Sequence, residues 1–359
     1  MRPISVRPLV LAAALLVAVA VTAVTAAASG EGRYTVHPLF SDVPGAAAGT
    51  DTNLVNGWGL AAGPTSPWWV ADNGTDKATV YTAAGANAGL VVAVGGGPTG
   101  EVFNGTTGFT VTNGVVSGRA SFIFASEDGT IRGWSPTVPA GSRVAQVAVD
   151  GSVWGAIYKG LAIATTAAGP RLYAADFHNG NVDVFDGSWT KLTIPGAFTD
   201  PWLKKGYAPF GVQTIGSRVF VSYAKQDADA EDEIAGQGLG YMDVYSTEGV
   251  LLHRVAQHGA LNAPWGLALA PADFGRFSGD LLVGNFGDGR IHGYAEQADG
   301  SFENEGPLKS ESGRPLSIDG LWALEFGLGG TANGPKNTLF FTAGPDDESH
   351  GLFGSITAG

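Results

Sequence analysis

One phrase recurs six times along this chain. Each copy has a short apolar run opening at or near a glycine, a turn, a second apolar run ending in acidic or amide residues, and a third alternating strand. The clearest copies occupy residues 56–81, 158–185 and 263–294. Self-similarity of this kind means one supersecondary unit repeated, and it constrains the fold more than any single motif does. The second runs lie at 68–72, 121–126, 171–176, 218–223, 280–284 and 338–342. Their mean spacing of about 54 residues is close to the 40–50 of known four-stranded blades, with some excess in loops.

First strands are expected at 59–62, 108–112, 160–164, 211–215, 266–270 and 321–326, and third strands at 79–82, 130–134, 181–185, 241–245, 290–294 and 351–357. Fourth strands fit 90–94, 144–149, 191–194 and 251–256, while that of the fifth unit is poorly marked. The sixth unit runs out of chain after its third strand, whereas residues 33–40 form a spare strand with no unit of their own. Pairing the two would close the ring and remove an exposed sheet edge. The expected fold is therefore all-β: a six-bladed β-propeller of four-stranded blades, the last blade closed by the N-terminal strand. The 55 glycines, with 15% charged residues, suit many short strands joined by tight turns.

Residues 1–28 read as a secretory signal peptide: Arg2 and Arg7, an apolar run over 9–21, and an Ala-rich exit at 26–28. An uncleaved membrane anchor is the alternative, since the apolar run is just long enough to span a bilayer. Cleavage would leave 29–359 as a single propeller domain, secreted, free of the membrane and monomeric. There is no cysteine, hence no disulfide framework and no thiolate chemistry. The formal charge is −13, with 20 basic residues that form no cluster. Nucleic acid is excluded as a partner, because it requires a positive patch.

In such a blade, the loops joining strands 2 to 3 and those joining strand 4 to the next strand 1 emerge on one face. The first set contains Asp72, Asn73, Glu127, Asp128, Asp176, His178, Asp227, Asp229, Asn285, Asp288 and 346–348. The second contains Asn53, Asn56, Asn104, Lys159, Tyr207, Asn262 and Asp319, with Trp58, Trp265 and Trp322 beside them. A ring of carboxylates and amides around one channel mouth favours a cation or a polyhydroxy ligand. Asp and Asn also serve tight hairpins by bonding their own backbone, so each residue alone is equally a turn former.

The fourth unit departs from the others, with a long acidic loop over 226–240. It lacks the sixth-position glycine of a calcium-binding EF-hand loop, where Asp232 stands instead. It reads as an acidic lid, or as part of a calcium site completed by neighbouring loops. The G-x-G-x-x-G match at 95–100 contains Pro98 and opens no helix, so it reads as a glycine-rich turn. Neither G-x-S-x-G nor H-E-x-x-H occurs.

The segments GPTSPWWVADNGT, GPRLYAADFHNGNVDVFDG, GYAPFGVQ, NAPWGLALAP, SGDLLVGNFGDGRI and TAGPDDESHGLFGS resemble an uncharacterised family of exported bacterial proteins, over nearly all of 34–359. More distantly, the cadence is similar to NHL-repeat six-bladed propellers. That wider group includes binding proteins, peptidylglycine-type lyases and lactonase-like hydrolases with a central divalent metal. The resemblance implies a fold, and its metal-binding positions match no single residues here.

Two functions fit. The first is a secreted module binding an unknown protein, glycan or small molecule at the acidic mouth, through Asn56, Trp58, Asn262, Trp265, Asp319 and Trp322. The second is a divalent-metal-dependent hydrolase or lyase. Calcium or another divalent cation would sit among Asp72, Asp176, Asp227, Asp229, Asn285 and Asp346, with Lys159, His178 or His350 moving the proton.

Overall fold

The computed structural model describes residues 32–359, and the leader expected at 1–28 lies outside the described residues. Six antiparallel sheets form the blades of a six-bladed β-propeller. From the channel outward, blade 1 runs Gly57–Ala61, Trp68–Asp72, Lys77–Tyr81 and Asn87–Ala93. Blade 3 runs Tyr158–Thr166, Gly169–Asp176, Asn181–Asp186 and Lys191–Leu192; blade 4 runs Tyr207–Ile215, Arg218–Gln226, Tyr241–Ser246 and Leu251–Gln257. Blade 5 comprises Pro264–Leu269, Leu281–Asn285, Ile291–Glu296 and Phe302–Pro307. Its outer strand escaped the sequence pattern because FENEGP does not alternate.

Blade 6 has three strands of its own, Leu321–Phe326, Thr338–Ala343 and Leu352–Ala358, and Arg33–Ser41 pairs antiparallel with the last of them as its fourth. Tyr34 and Phe40 of that strand are buried, and the Tyr34 hydroxyl donates to the Phe274 carbonyl of blade 5 at 2.9 Å.

Blade 2 corrects the sequence reading. Its inner strand is Pro98–Phe103, ahead of Phe122–Ser126, Thr130–Trp134 and Gln146–Asp150. The run expected as that strand, 108–112, lies instead in a side hairpin of Thr110–Thr112 with Ser117–Arg119. The glycine-rich stretch is a turn only over its first half, since Pro98, Thr99 and Gly100 already belong to the strand. Asn104, expected at the acidic mouth, follows the far end of this strand and bonds the Ser121 carbonyl. Glycine and an acid had broken the alternation of the real strand, while the hairpin, with Phe109 and Val111 buried, obeyed it.

Apolar side chains fill the gaps between blades. Separate clusters join blades 1 and 2, 2 and 3, 3 and 4, 4 and 5, and 5 and 6, and one more lies around the axis. The inner strands touch all the way round. They meet at a waist built from Gly59, Gly100, Gly160, Gly211, Gly266 and Ala323, one residue per blade. A Cβ added at Gly211 would stand 2.1 Å from the Trp265 carbonyl oxygen, and one at Gly266 would stand 2.4 Å from that of Trp322. Backbone therefore packs on backbone, which a side chain would prevent. Gly211→Ala is expected to lower the unfolding free energy by about 1–3 kcal/mol, the usual cost of overpacking, in a urea titration. An unchanged midpoint would mean that the waist is looser than these contacts.

Candidate functional site at the channel mouth

Every inner strand carries one extra residue against its partner. Gly57 to Leu60 spans three residues opposite the two from Asp72 to Val70, and blades 2, 3, 4 and 6 repeat the same offset. In blade 5 the offset falls between Pro264 and Gly266. A bulge of this kind re-aims a side chain. Here it falls at Trp58, Thr99, Lys159, Phe210, Trp265 and Trp322, just above the waist.

Four of these six are aromatic, and they close the channel. Trp58 and Trp322 stack with centroids 3.5 Å apart, and Trp265 stands edge-on to both at 6.1 and 5.8 Å. Phe210 packs edge-on against Trp58 and Trp322, while Phe286 stacks on Trp322 at 4.2 Å. All three tryptophans are buried. The three rings expected to offer a ligand contact at the mouth are instead packed on one another, because the converging bulges bring them together first. The ring nitrogens of Trp58 and Trp265 find no acceptor among the described residues.

Lys159 lies over this plug, its Nζ 5.2 Å from the Trp58 ring centre. The ammonium is 2.5 Å from a Glu127 oxygen and 3.0 Å from an Asp232 oxygen. Burial alone would lower its pKa, but Glu127, Glu233 and Asp232 more than offset this and hold it above the ordinary lysine value. Burial pushes Glu233 up to about 8, against the pull of Lys159, and raises Glu348 as well. An amide relay links the set. Trp322 Nε1 donates to Asn56 Oδ1 at 3.0 Å, Asn56 Nδ2 donates to Glu348 at 2.6 Å, and Asn73 Nδ2 donates to Glu127 at 2.8 Å.

Two loops carry the acids inward. In the 226–240 loop, Glu233–Ile234 pairs with Lys225 and Gln226, and Gly236 N donates to Asn262 Oδ1 at 2.6 Å. The acidic stretch is thus an anchored lid that delivers Asp232 and Glu233 to Lys159. In the other loop, Asp346, Asp347 and Glu348 all hold positive φ, at 58°, 50° and 63°. Non-glycine residues in this region cost free energy and cluster where a site demands them. The Asp319 carboxylate secures the turn by accepting from Asp346 N at 2.9 Å.

The structure brings Asn56 and Lys159 to the mouth, as expected, and gives Asn262 and Asp319 the task of holding its loops. His178 is exposed and its Nδ1 lies 3.2 Å from the Ala230 carbonyl of the lid. His350 pairs with Asp42 at 2.8 Å, and that bond raises its pKa. Neither histidine lies over the plug.

The proposed calcium donors do not come together. Among the described residues, no three His, Asp or Glu side chains converge as a metal would need. Asp72 is buried against Thr79, and Asp176 accepts from Ile157 N at the start of the blade and from Asn179 N within its own turn. Asp227 accepts from Glu231 N, Asn285 bonds the Ala260 carbonyl and Asp288, and Asp229 is exposed on the lid. Asp346 sits at the rim, 3.9 Å from His350. Asp176, Asp227 and Asn285 are engaged in local backbone and turn bonds, and the Lys159 ammonium stands where the mouth carboxylates meet. The residues present do not fit a central divalent metal.

Sequence reasoning missed Glu127, Asp232, Glu233 and Glu348 as a working set, because their partner Lys159 comes from a different blade. It also missed Glu101, Gln213 and Glu325, which line the channel below the waist. A signal for those existed: each is the one carboxyl or carboxamide side chain in its otherwise mostly apolar inner strand.

No protein-family model matches the chain. Uncharacterized protein R648 of Acanthamoeba polyphaga mimivirus is 33% identical over 336 residues, covering 90% of this chain and 80% of the relative. Uncharacterized protein L690 of the same virus is 32% identical over 343 residues, covering 90% and 85%. The chain belongs to the family of these two proteins. Members of that family matched here are viral, so they lend no support to the exported bacterial family that the sequence resemblance implied. Among solved structures, a Bacteroides thetaiotaomicron protein of unknown function superposes with a TM-score of 0.58 at 10% identity, covering 91% of this chain and 76% of that one. At that identity the likeness speaks to the fold alone.

Proposed function

We propose that this protein is a binding module whose acidic mouth receives a cationic group, such as a lysine-rich segment of a protein partner. The observation that carries this reading is the imbalance over the plug. Four carboxyl groups, of Glu127, Asp232, Glu233 and Glu348, are grouped around the single ammonium of Lys159, and they outnumber it even with Glu233 held largely protonated at neutral pH. Asp227, Asp229, Asp346 and Asp347 add to the excess at the rim, on a chain of net charge −13. Such a field steers and retains cations. A backbone turn held at positive φ over three successive acids is an added cost that packing does not explain. An extracellular setting, reached through residues 1–28, suits this reading. Binding is favoured over hydrolysis or elimination because the donor set for a metal does not converge and the aromatic floor is shut.

The test is fluorescence anisotropy of a labelled lysine-rich peptide at low and high salt. Saturable binding that weakens steeply with salt is expected. Each exposed charge pair contributes at most about 1 kcal/mol. Converting Asp227, Asp229, Asp346 and Asp347 together to asparagine is therefore expected to weaken binding about tenfold. Binding that ignores salt, or none at all, would remove the reading.

A further inference from the structure

The lower end of the channel holds polar groups that the fold itself does not require. The ring supplies its own comparison, because each inner strand repeats the same two positions after the waist. The first is Leu60, Leu161, Val212, Leu267 and Leu324 in five blades, and Glu101 in blade 2. The second is Ala61, Val102, Ala162 and Ala268 in four blades, with Gln213 in blade 4 and Glu325 in blade 6. Five leucines or valines show what packing needs at the level of Glu101. The three exceptions come from alternate blades, and all of them line the same space.

That space is a cavity of about 250 Å³ at the lower mouth, continuous in its lining with a small pocket of about 30 Å³ beneath Trp265. Glu101, Gln213, Glu325 and Leu60 border both. Glu101 is 6% exposed, and neither of its carboxylate oxygens has a hydrogen-bond partner among the described residues. Thr214 Oγ1, on the cavity wall, is also without one. Glu325 accepts from Gln213 Nε2. An orphaned buried carboxyl is destabilising, so its presence calls for an explanation beyond packing.

We propose that the lower mouth is a second binding site, for a small primary ammonium ion carrying a short apolar chain, with Glu101 and Glu325 as its carboxylate partners. Trp68, Ile163 and Leu328 offer the chain an apolar wall, and the Gln213 amide orients Glu325 toward the head group. The cavity has room for a handful of non-hydrogen atoms, as small ligand sites require. Burial raises Glu101 well above the usual carboxylate range, with Asp72 of blade 1 as the other charge acting on it. Burial likewise holds Glu325 at about 7, with the Gln213 amide as its facing group. Glu325 is therefore protonated in part at neutral pH, and an arriving ammonium ion displaces protons.

The experiment is titration calorimetry of the full chain with n-butylammonium chloride at neutral pH, in two buffers of different ionisation enthalpy. Saturable binding of one ammonium per chain, with net proton release, is expected, and 1-butanol should not bind. Glu101→Gln keeps the shape, removes the ionisable carboxyl and should fold at least as well, which a melting curve checks. It should weaken binding about tenfold or more, and Glu325→Gln should act in the same direction. Saturating the upper mouth with the lysine-rich peptide should leave this affinity unchanged, which separates the two sites. Absence of saturable binding, equal affinity in both variants, or displacement by the peptide would each overturn the proposal.

Discussion

Deleting Arg33–Ser41 is expected to lower the melting midpoint by about 10 °C or more, or to abolish a cooperative transition altogether. The strand pairs with Leu352–Ala358 along nearly its whole length and buries Tyr34 and Phe40. Burying a large apolar side chain contributes about 1.5–3 kcal/mol, and the Tyr34 bond to blade 5 would be lost as well. In a domain of this size, each kcal/mol moves the midpoint by about 2–4 °C. Removal also uncovers the edge of Leu352–Ala358, so the truncated protein should self-associate. Differential scanning calorimetry with light scattering measures both effects. A truncated chain that melts like the full one would show that the six blades hold the ring shut without their seam.

Lys159→Met carries the second large effect, an expected loss of about 3–5 kcal/mol measured by guanidinium unfolding. Methionine keeps the apolar stem over Trp58 but removes the charge. Glu127, Asp232, Glu233 and Glu348 are then left facing one another with no counterion. The pH dependence gives a sharper signature. Without the ammonium, the folded-state pKa values of Glu233 and Glu348, already raised by burial, rise further above their unfolded values. Such groups favour the folded state while protonated and lose that contribution as pH rises through the folded pKa. The penalty should therefore be small near about pH 5 and largest above about pH 8, the value near which Glu233 already titrates. In the wild type, Lys159 stays charged across this window, so the contrast isolates the acids. A pH-independent penalty would mean that lost packing, and not charge, explains the variant.

The ring was legible in the sequence because it rests on local signals. The second strands, the acidic turns and the unmatched strand at 33–40 all announced themselves through alternation and turn residues. Pro98–Phe103 did not, since Glu101 and the glycines before it break the apolar rhythm, whereas the side hairpin at 110–119 keeps it. The site was legible only in outline. That Asn56, Lys159, Asn262 and Asp319 share one face follows from the up-and-down course of a blade. The burial of Trp58, Trp265 and Trp322 does not, because it depends on six bulged strands converging on one axis. Lys159 illustrates the same limit: its partners lie 32 and 73 positions away, on other blades. A lone acid in an apolar strand, as at Glu101 or Glu325, was the one legible sign of the lower site, and it becomes meaningful only beside the five other strands.

The seam in blade 6 belongs to the chain and not to the ring. Gly359 N donates to the Arg33 carbonyl at 2.9 Å, so the two ends of the described polypeptide already touch. A short linker joining them would leave every blade as it is, and the break could be moved to an exposed turn such as 167–168, between the first two strands of blade 3. The blade that is finished last would then be a different one. Circular permutation could thus separate the order in which this molecule is synthesised from the architecture it reaches.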